Sequence, residues 1–353
     1  MNILFKILLI SLITFNCTKK HTVIPYIEKD KSISECKNTL TKTEMNGVSF
    51  VAVSYVVDSS DFTPIQNVNA TWITTMPFGF IRSGDSVVNY NVGWQWTGEK
   101  SEGVINTIKL AHKKGIKVLV KPHIWITGSW VGDMQFTTNS QWESFEKSYT
   151  SYIMEFARVS DSMNAEAFCI GVEFKKSVTQ RPAFWSDLID SIKVVYSGKL
   201  TYAANWDNYK NITFWDKLDY IGIDAYFPVS DKKTPTFEDC YVGWSKDFNE
   251  IKNLSISKNK KVIFTEFGYR NIDYSGKEPW DENANSTYNT TGQDNAYKAL
   301  FCRFWGKSWF EGGFLWKWFP NHSASGGIAN NRFTPQNKPV ENSIKNIYLE
   351  TNE

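Results

Sequence analysis

Eight short apolar runs recur along the chain from Gly47 onward, and longer stretches with helical spacing separate them. In order they are GVSFVAV, ATWITTM (Ala70 to Met76), GIKVLVKPH, EAFCIGVE, KLTYAANW, DYIGIDAY, KVIFTEFG and GGFLWKWF. The intervening stretches place apolar residues on one helical face. Val104, Ile105, Ile108 and Ala111 form one such stripe; Trp142, Phe145, Tyr149, Ile153, Phe156 and Val159 form a longer one. Leu188, Ile189, Ile192 and Val195 repeat the pattern, as do Ala296, Leu300, Phe301, Phe304 and Trp305 before the last run. Gly115 supplies a stop signal after the first helix. Strands alternating with helices specify an α/β fold with a parallel sheet. A count of eight, with no glycine-rich phosphate turn after the first strand, favours a (β/α)8 TIM barrel over an open doubly wound sheet. No second catalytic domain and no internal repeat is visible.

Strand ends are the informative positions, because barrel active sites form at the C-terminal ends of the strands. Strand three ends in Lys121-Pro122-His123, strand four in Glu173, strand five in Asn205-Trp206 and strand six in Asp224-Ala225-Tyr226. Strand seven ends in Glu266 and strand eight in Trp316-Lys317-Trp318. In a closed ring, Glu173 and Glu266 are expected to face each other across the mouth. Two opposed carboxyls, one protonated and one ionised, are what glycoside hydrolysis needs. Each favours the other's state, since a neighbouring negative charge raises a carboxyl pKa and aromatic surroundings push the same way. The bland alternative is a pair of structural ion pairs with lysine or arginine.

Composition points the same way. The 353 residues include 15 Trp, 16 Tyr and 24 Phe, more indole than a core needs, since each N–H wants a partner. Partly exposed aromatics suit ligands with flat apolar faces, such as sugars. Trp94 and Trp96 follow strand two, and Trp125 and Trp130 follow strand three. Trp96 and Trp130, beside glycine and polar residues, are expected on exposed turns, and Trp280, next to Asp281, is expected to reach the site from the loop after strand seven. Asp224 either orients a catalytic group or caps a turn. Lys121 is expected in a salt bridge rather than as a Schiff-base lysine. A formal net charge of +2 gives no argument for a nucleic-acid partner. Four His without metal-binding spacing, and scattered cysteines without C-x-x-C, argue against a zinc site or redox pair, and neither metal nor cofactor is expected.

The first residues read as a targeting segment: Lys6, then the apolar run Ile7 to Phe15, too short to span a bilayer, then Asn16-Cys17. The expectation is a lipoprotein-type signal over residues 1–17 ending at a lipidated Cys17, a polar tether over 18–46 and one catalytic domain over 47–353. The protein is then a monomer exported to the outer membrane or cell surface and anchored to the membrane, with a periplasmic or secreted form as the alternative.

Several segments in this order, AHKKGIKVLVKPHIW, FCIGVEF, LTYAANWDNY, FWDKLDYIGIDAYFP, VIFTEFGYR and NKPVENSI, resemble glycoside hydrolase family 113, the β-mannanase family, over Gly47 to Tyr348. The resemblance implies a retaining β-1,4-mannan hydrolase, with Glu173 as acid/base and Glu266 as nucleophile about 5–5.5 Å apart. It places Asn205, His123 and Tyr226 around the sugar in the −1 subsite or against the carboxylates. It makes Trp316 the sugar platform, with Trp318 as the alternative. The expected partner is β-mannan, glucomannan or galactomannan, or their oligosaccharides. A related β-glycanase or exo-glycosidase and a non-catalytic carbohydrate-binding lipoprotein are the alternatives. The chain departs from the wider clan in carrying Val172 where many members have Asn before the acid/base, so the hydrogen bond to the sugar 2-hydroxyl is assigned to Asn205. Arg82 is the one candidate for the clan's strand-two arginine.

Overall fold

The computed structural model describes residues 40–284 and 286–352; Cys17 and the tether up to residue 39 lie outside them. Eight parallel strands close into a barrel: β1 (Met45–Phe50), β2 (Trp72–Thr75), β4 (Lys117–Val120), β6 (Ala167–Val172), β7 (Lys199–Asn205), β8 (Tyr220–Asp224), β9 (Lys261–Phe267) and β10 (Phe310–Trp318), which pairs back onto β1. All eight expected runs are therefore barrel strands. β1 opens at Met45, ahead of the expected domain start, and the buried Asn46 accepts from the Trp305 indole at 2.7 Å.

Side chains alternate as period-two strands require. One set, including Trp72, Leu119, Ala167, Cys169, Ala203, Ile263 and Phe314, fills the barrel interior. The other set packs outward against the helices in one continuous core. Helix Asn139–Ser162 is started by a capping box between Thr138 and Gln141. It supports β6 directly, because the Tyr149 hydroxyl donates to the Ile170 carbonyl at 2.9 Å.

Two strands were not foreseen. β3 (Phe78–Ile81) and β5 (His123–Ile126) form a separate parallel pair. Each begins just after a proline, Pro77 or Pro122, at the end of a barrel strand. Proline has no N–H to continue the barrel ladder, so the chain leaves the ring there and pairs again above it. The Tyr152 hydroxyl lies 2.9 Å from the carbonyl oxygens of both Pro77 and His123 and fixes this departure. The small sheet carries His123, Trp125 and Phe80 over the mouth.

Cys169 and Cys240 are free and buried, whereas Cys302 is disulfide-bonded, which the scattered spacing of cysteines did not suggest. Among the described residues no helix is long and apolar enough to cross a membrane, and no cluster of His, Cys, Asp and Glu is arranged to hold a metal.

Candidate active site

Both strand-end glutamates sit beside a slip in the strand register. On β6, Cys169 faces Thr201 of β7 but Val172 faces Ala203, one residue out of step. On β9, Phe264 faces Ile223 of β8 but Glu266 faces Asp224, so Thr265 is the extra residue. Such bulges bend a strand and re-aim the side chain that follows. Glu173 has in addition a left-handed backbone, φ +57°. That conformation is costly for a residue with a Cβ, and it is found where function fixes the geometry.

The two carboxyls meet in one cleft of about 1100 Å³ over the C-terminal ends of the strands. Its lining explains the tryptophan surplus. Seven of the fifteen tryptophans are buried in the protein, and seven of the other eight, all but Trp309, line this cleft. Trp94, Trp96, Trp125, Trp130 and Trp280 are exposed in it. Trp206 and Trp280 stack at 4.8 Å with their planes 20° apart. The Trp96 backbone N–H donates to the Glu99 carboxylate at 3.1 Å, which fixes the turn that carries the ring. Trp316 stacks on the His123 ring at 6.0 Å, and the Trp316–Lys317 peptide is cis.

Glu266 is held from below. Lys121 Nζ donates to its Oε1 at 2.5 Å, and the Tyr226 hydroxyl donates to its Oε2 at 2.7 Å. Lys121 also lies 3.3 Å from Asp224 Oδ1, which accepts from Thr265 Oγ1 at 2.7 Å. Burial opposes the charge on Lys121, but Asp224 and Glu266 together outweigh it and raise its pKa. Burial and then the Glu266 charge push the Asp224 carboxyl well above the usual range, against the pull of Lys121. One lysine thus serves two buried acids. Glu266 is the closer, at 2.5 Å, and Asp224 the more distant, at 3.3 Å.

Glu173 sits in the opposite kind of environment. Asn205 Nδ2 donates to its Oε1 and Trp130 Nε1 to its Oε2, each at 2.8 Å, and among the described residues no cation pairs with it. Burial first, and the Glu266 charge second, raise its pKa to about 7, despite the two hydrogen bonds and Lys121. The site thus pairs a carboxylate locked to a lysine with a carboxyl that keeps its proton up to near neutrality.

His123 lies beside them. Its Nε2 is 3.9 Å from Glu266 Oε1 and has no hydrogen-bond partner among the described residues. Burial, with Lys121 and Lys317 nearby, lowers its pKa well below the usual value, so the ring is neutral.

Residues 45–338 match the family model of Glycoside Hydrolase Family 113. The chain belongs to glycoside hydrolase family 113. Solved structures of similar fold include the GH113 β-mannanase AaManA from Alicyclobacillus acidocaldarius in complex with ManMIm, with TM-score 0.77, 22% identity, and coverage of 88% of this chain and 98% of that one. A complex of a GH113 β-1,4-mannanase gives TM-score 0.74 and 21% identity over 88% of this chain and 99% of that one. The β-glucuronidase of Ruminococcus gnavus gives 0.55 and 13% identity over 82% of this chain and 46% of that one. No curated protein sequence matches the chain.

Within this glycoside hydrolase the structure brings most of the expected residues together. Glu173, Glu266, His123, Asn205, Trp206, Tyr226, Trp316, Trp96, Trp130 and Trp280 all line the cleft. Three other strand-end residues do not. Trp318 is fully buried beside His322, so only Trp316 is placed to meet a sugar. Lys121 and Asp224 are likewise buried and act from beneath on Glu266 instead of touching a ligand. Arg82 is exposed beyond β3 and outside the cleft lining. The cation beside Glu266 comes instead from Lys121. A lysine ending one apolar strand, in a chain where other strands end in Asp224 and Glu266, was the available signal.

Proposed function

We propose that the chain is a retaining β-mannanase that cleaves β-1,4-mannosidic bonds in mannan, glucomannan or galactomannan, or in their oligosaccharides. The contrast between Glu173 and Glu266 carries this reading. Glu173, protonated near neutrality, gives its proton to the glycosidic oxygen as that bond to C1 breaks. Glu266, paired with Lys121, attacks C1 and forms a glycosyl ester. Glu173, now ionised, takes a proton from water as the water's oxygen attacks C1 and releases Glu266. His123 Nε2 is free to bond a sugar hydroxyl, and Trp316 offers a face to the ring bound there. Asn205 spends an N–H on Glu173, so it orients the carboxyl. Mannan specificity is supported by the family and by the mannanase names of the similar structures. Tryptophans spread along an open cleft suit an internal stretch of polymer.

Export and anchoring through Cys17 belong to the same proposal. They are supported by the sequence up to Cys17 and by the disulfide at Cys302, a bond that persists in oxidising compartments.

The test is hydrolysis of mannan, xylan and cellulose oligosaccharides by the wild type and two variants. Glu266→Ala is expected to lose all turnover. Glu173→Ala is expected to lose mannan hydrolysis but keep activity on aryl mannosides whose leaving group needs no proton. Equal loss on both substrates would show the roles to be misassigned, and preference for xylan or cellulose would overturn the substrate.

A further inference from the structure

Trp130 stands apart from the other cleft tryptophans. It is exposed on a turn after β5, yet its indole N–H donates to Glu173 Oε2 at 2.8 Å. The turn is shaped for this ring. Gly128 has φ +75°, Ile126 and Ser129 form an isolated bridge, and Gly132 lies directly under the indole. A Cβ on Gly132 would fall 2.3 Å from the Trp130 ring, so only glycine lets the ring lie where its N–H reaches Glu173. Gly132 does not have a positive φ, so the ring alone sets the requirement.

The chemistry of the bond is one-sided. An indole N–H only donates. It bonds strongly to a carboxylate and weakly to a protonated carboxyl, because charge-assisted hydrogen bonds are about twice as strong. Asn205 Nδ2, at the end of a barrel strand, donates to the other oxygen at 2.8 Å. Resting on the role proposed for Glu173, we infer that Trp130 is a positioning residue that grips the carboxylate form of Glu173 and releases the acid form, so that this loop prepares Glu173 to take the proton of the incoming water. The other titratable groups facing Glu173 sit on strands or at their ends. They are Glu266 on β9, Lys121 at the end of β4, Asp224 and Tyr226 at the end of β8, Tyr202 on β7 and the neutral His123 on β5. The Lys175–Asp207 and Lys176–Asp133 pairs lie at the rim. Trp130 is thus the one donor to Glu173 that a loop can withdraw.

The experiment is the pH profile of kcat/KM on a mannooligosaccharide for the wild type, Trp130→Phe and Gly132→Ala. Phenylalanine keeps a ring and loses the N–H. Alanine at 132 keeps the N–H and pushes the ring away. Losing a hydrogen bond to the charged form favours the acid, so both variants are expected to move the basic limb up by about half to one pH unit. The acidic limb and the thermal midpoint should stay in place. A basic limb that stays put in Trp130→Phe, whatever happens to the rate, would overturn the inference and leave Trp130 as a sugar platform. Glu173→Gln on an activated aryl mannoside separates this from the underlying role. If a basic limb at the wild-type pH persists there, Glu173 is not the group that titrates, and the proposed mechanism itself fails.

Discussion

Lys121 Nζ stands 2.5 Å from Glu266 Oε1, and their side chains are 0% and 8% exposed. A buried pair of this kind is dangerous to break, because removing one partner strands the other's charge at a cost of about 3–5 kcal/mol. Lys121→Met is therefore expected to lower stability by about 3 kcal/mol and kcat by about a hundredfold or more, as Glu266 becomes reluctant to ionise. Asp224→Asn should be mild, within about tenfold in kcat, because Glu266 is the lysine's closer partner and Asn keeps an acceptor for Thr265 Oγ1. Steady-state kinetics and thermal melts of the two variants check this. A severe Asp224→Asn would mean that Asp224, not Glu266, holds the lysine's charge.

In the proposed mechanism Glu173, as the proton donor, sets the alkaline edge of activity. Its pKa is raised to about 7, by burial first and by the Glu266 charge second. As the proton donor it works only while protonated, so kcat/KM should fall about tenfold per pH unit above about 7. The measurement is kcat/KM from pH 4 to 10 on a substrate with a poor leaving group. With an aryl leaving group that departs unaided, the alkaline fall should flatten.

The same shift has a consequence for stability. A carboxyl whose folded pKa lies above its unfolded value stabilises the fold fully below the unfolded pKa, and that contribution is lost as pH rises through the folded one. The window for Glu173 runs from about 4.5 to about 7. Glu173→Gln cannot ionise, so above pH 7 it is expected to be more stable than the wild type by about 2 kcal/mol, reduced where water reaches the group. At pH 4 the two should melt together. Thermal denaturation at pH 4, 6 and 8 tests this, and a gap that does not grow with pH would count against a raised Glu173 pKa.

Period and strand ends made the barrel and the glutamate pair legible, because two apolar strands that end on carboxylates three units apart place them across the mouth of a closed ring. Burial was harder to see. Trp316 and Trp318 share a strand and an alternation, yet the first opens on the cleft and the second packs into the core. Lys121 reads as a strand-end polar group, but whether it meets a ligand or a neighbouring acid depends on which strands flank it in three dimensions. The β3–β5 pair escaped notice because runs of four residues after a proline look like loop. Trp130 was visible as an exposed aromatic. Its bond to Glu173 joins residues 43 apart in the chain, and no local pattern encodes it.

Trp206 and Trp280 form a stacked pair on the cleft wall. Among the described residues neither hydrogen-bonds to Glu173 or Glu266, so their contribution is to binding and should grow with chain length. Trp280→Ala is expected to raise KM for mannopentaose about tenfold while leaving the hydrolysis of an aryl mannoside within about twofold. Trp206→Ala should do the same and, since the rings share one platform, the double variant should cost little more than either alone. Additive losses would show two separate subsites.

Trp316 and Trp318 invite opposite outcomes from the same truncation. Trp318 is fully buried in the core behind β10, and its Nε1 has no partner among the described residues. Trp318→Ala should therefore lower stability by about 3–5 kcal/mol, while any protein that folds keeps a near-normal KM. Trp318→Phe should be far cheaper, because it removes a buried unpaired N–H along with part of the ring. Trp316 is half-buried in the cleft against His123, so Trp316→Ala should leave the thermal midpoint within about 2 °C and cut kcat/KM by about ten- to a hundredfold. Melting curves and kinetics on all three variants decide it. If Trp318→Ala folded stably but lost sugar binding, the inner tryptophan would be the platform after all, and the cleft floor would have to open to admit it.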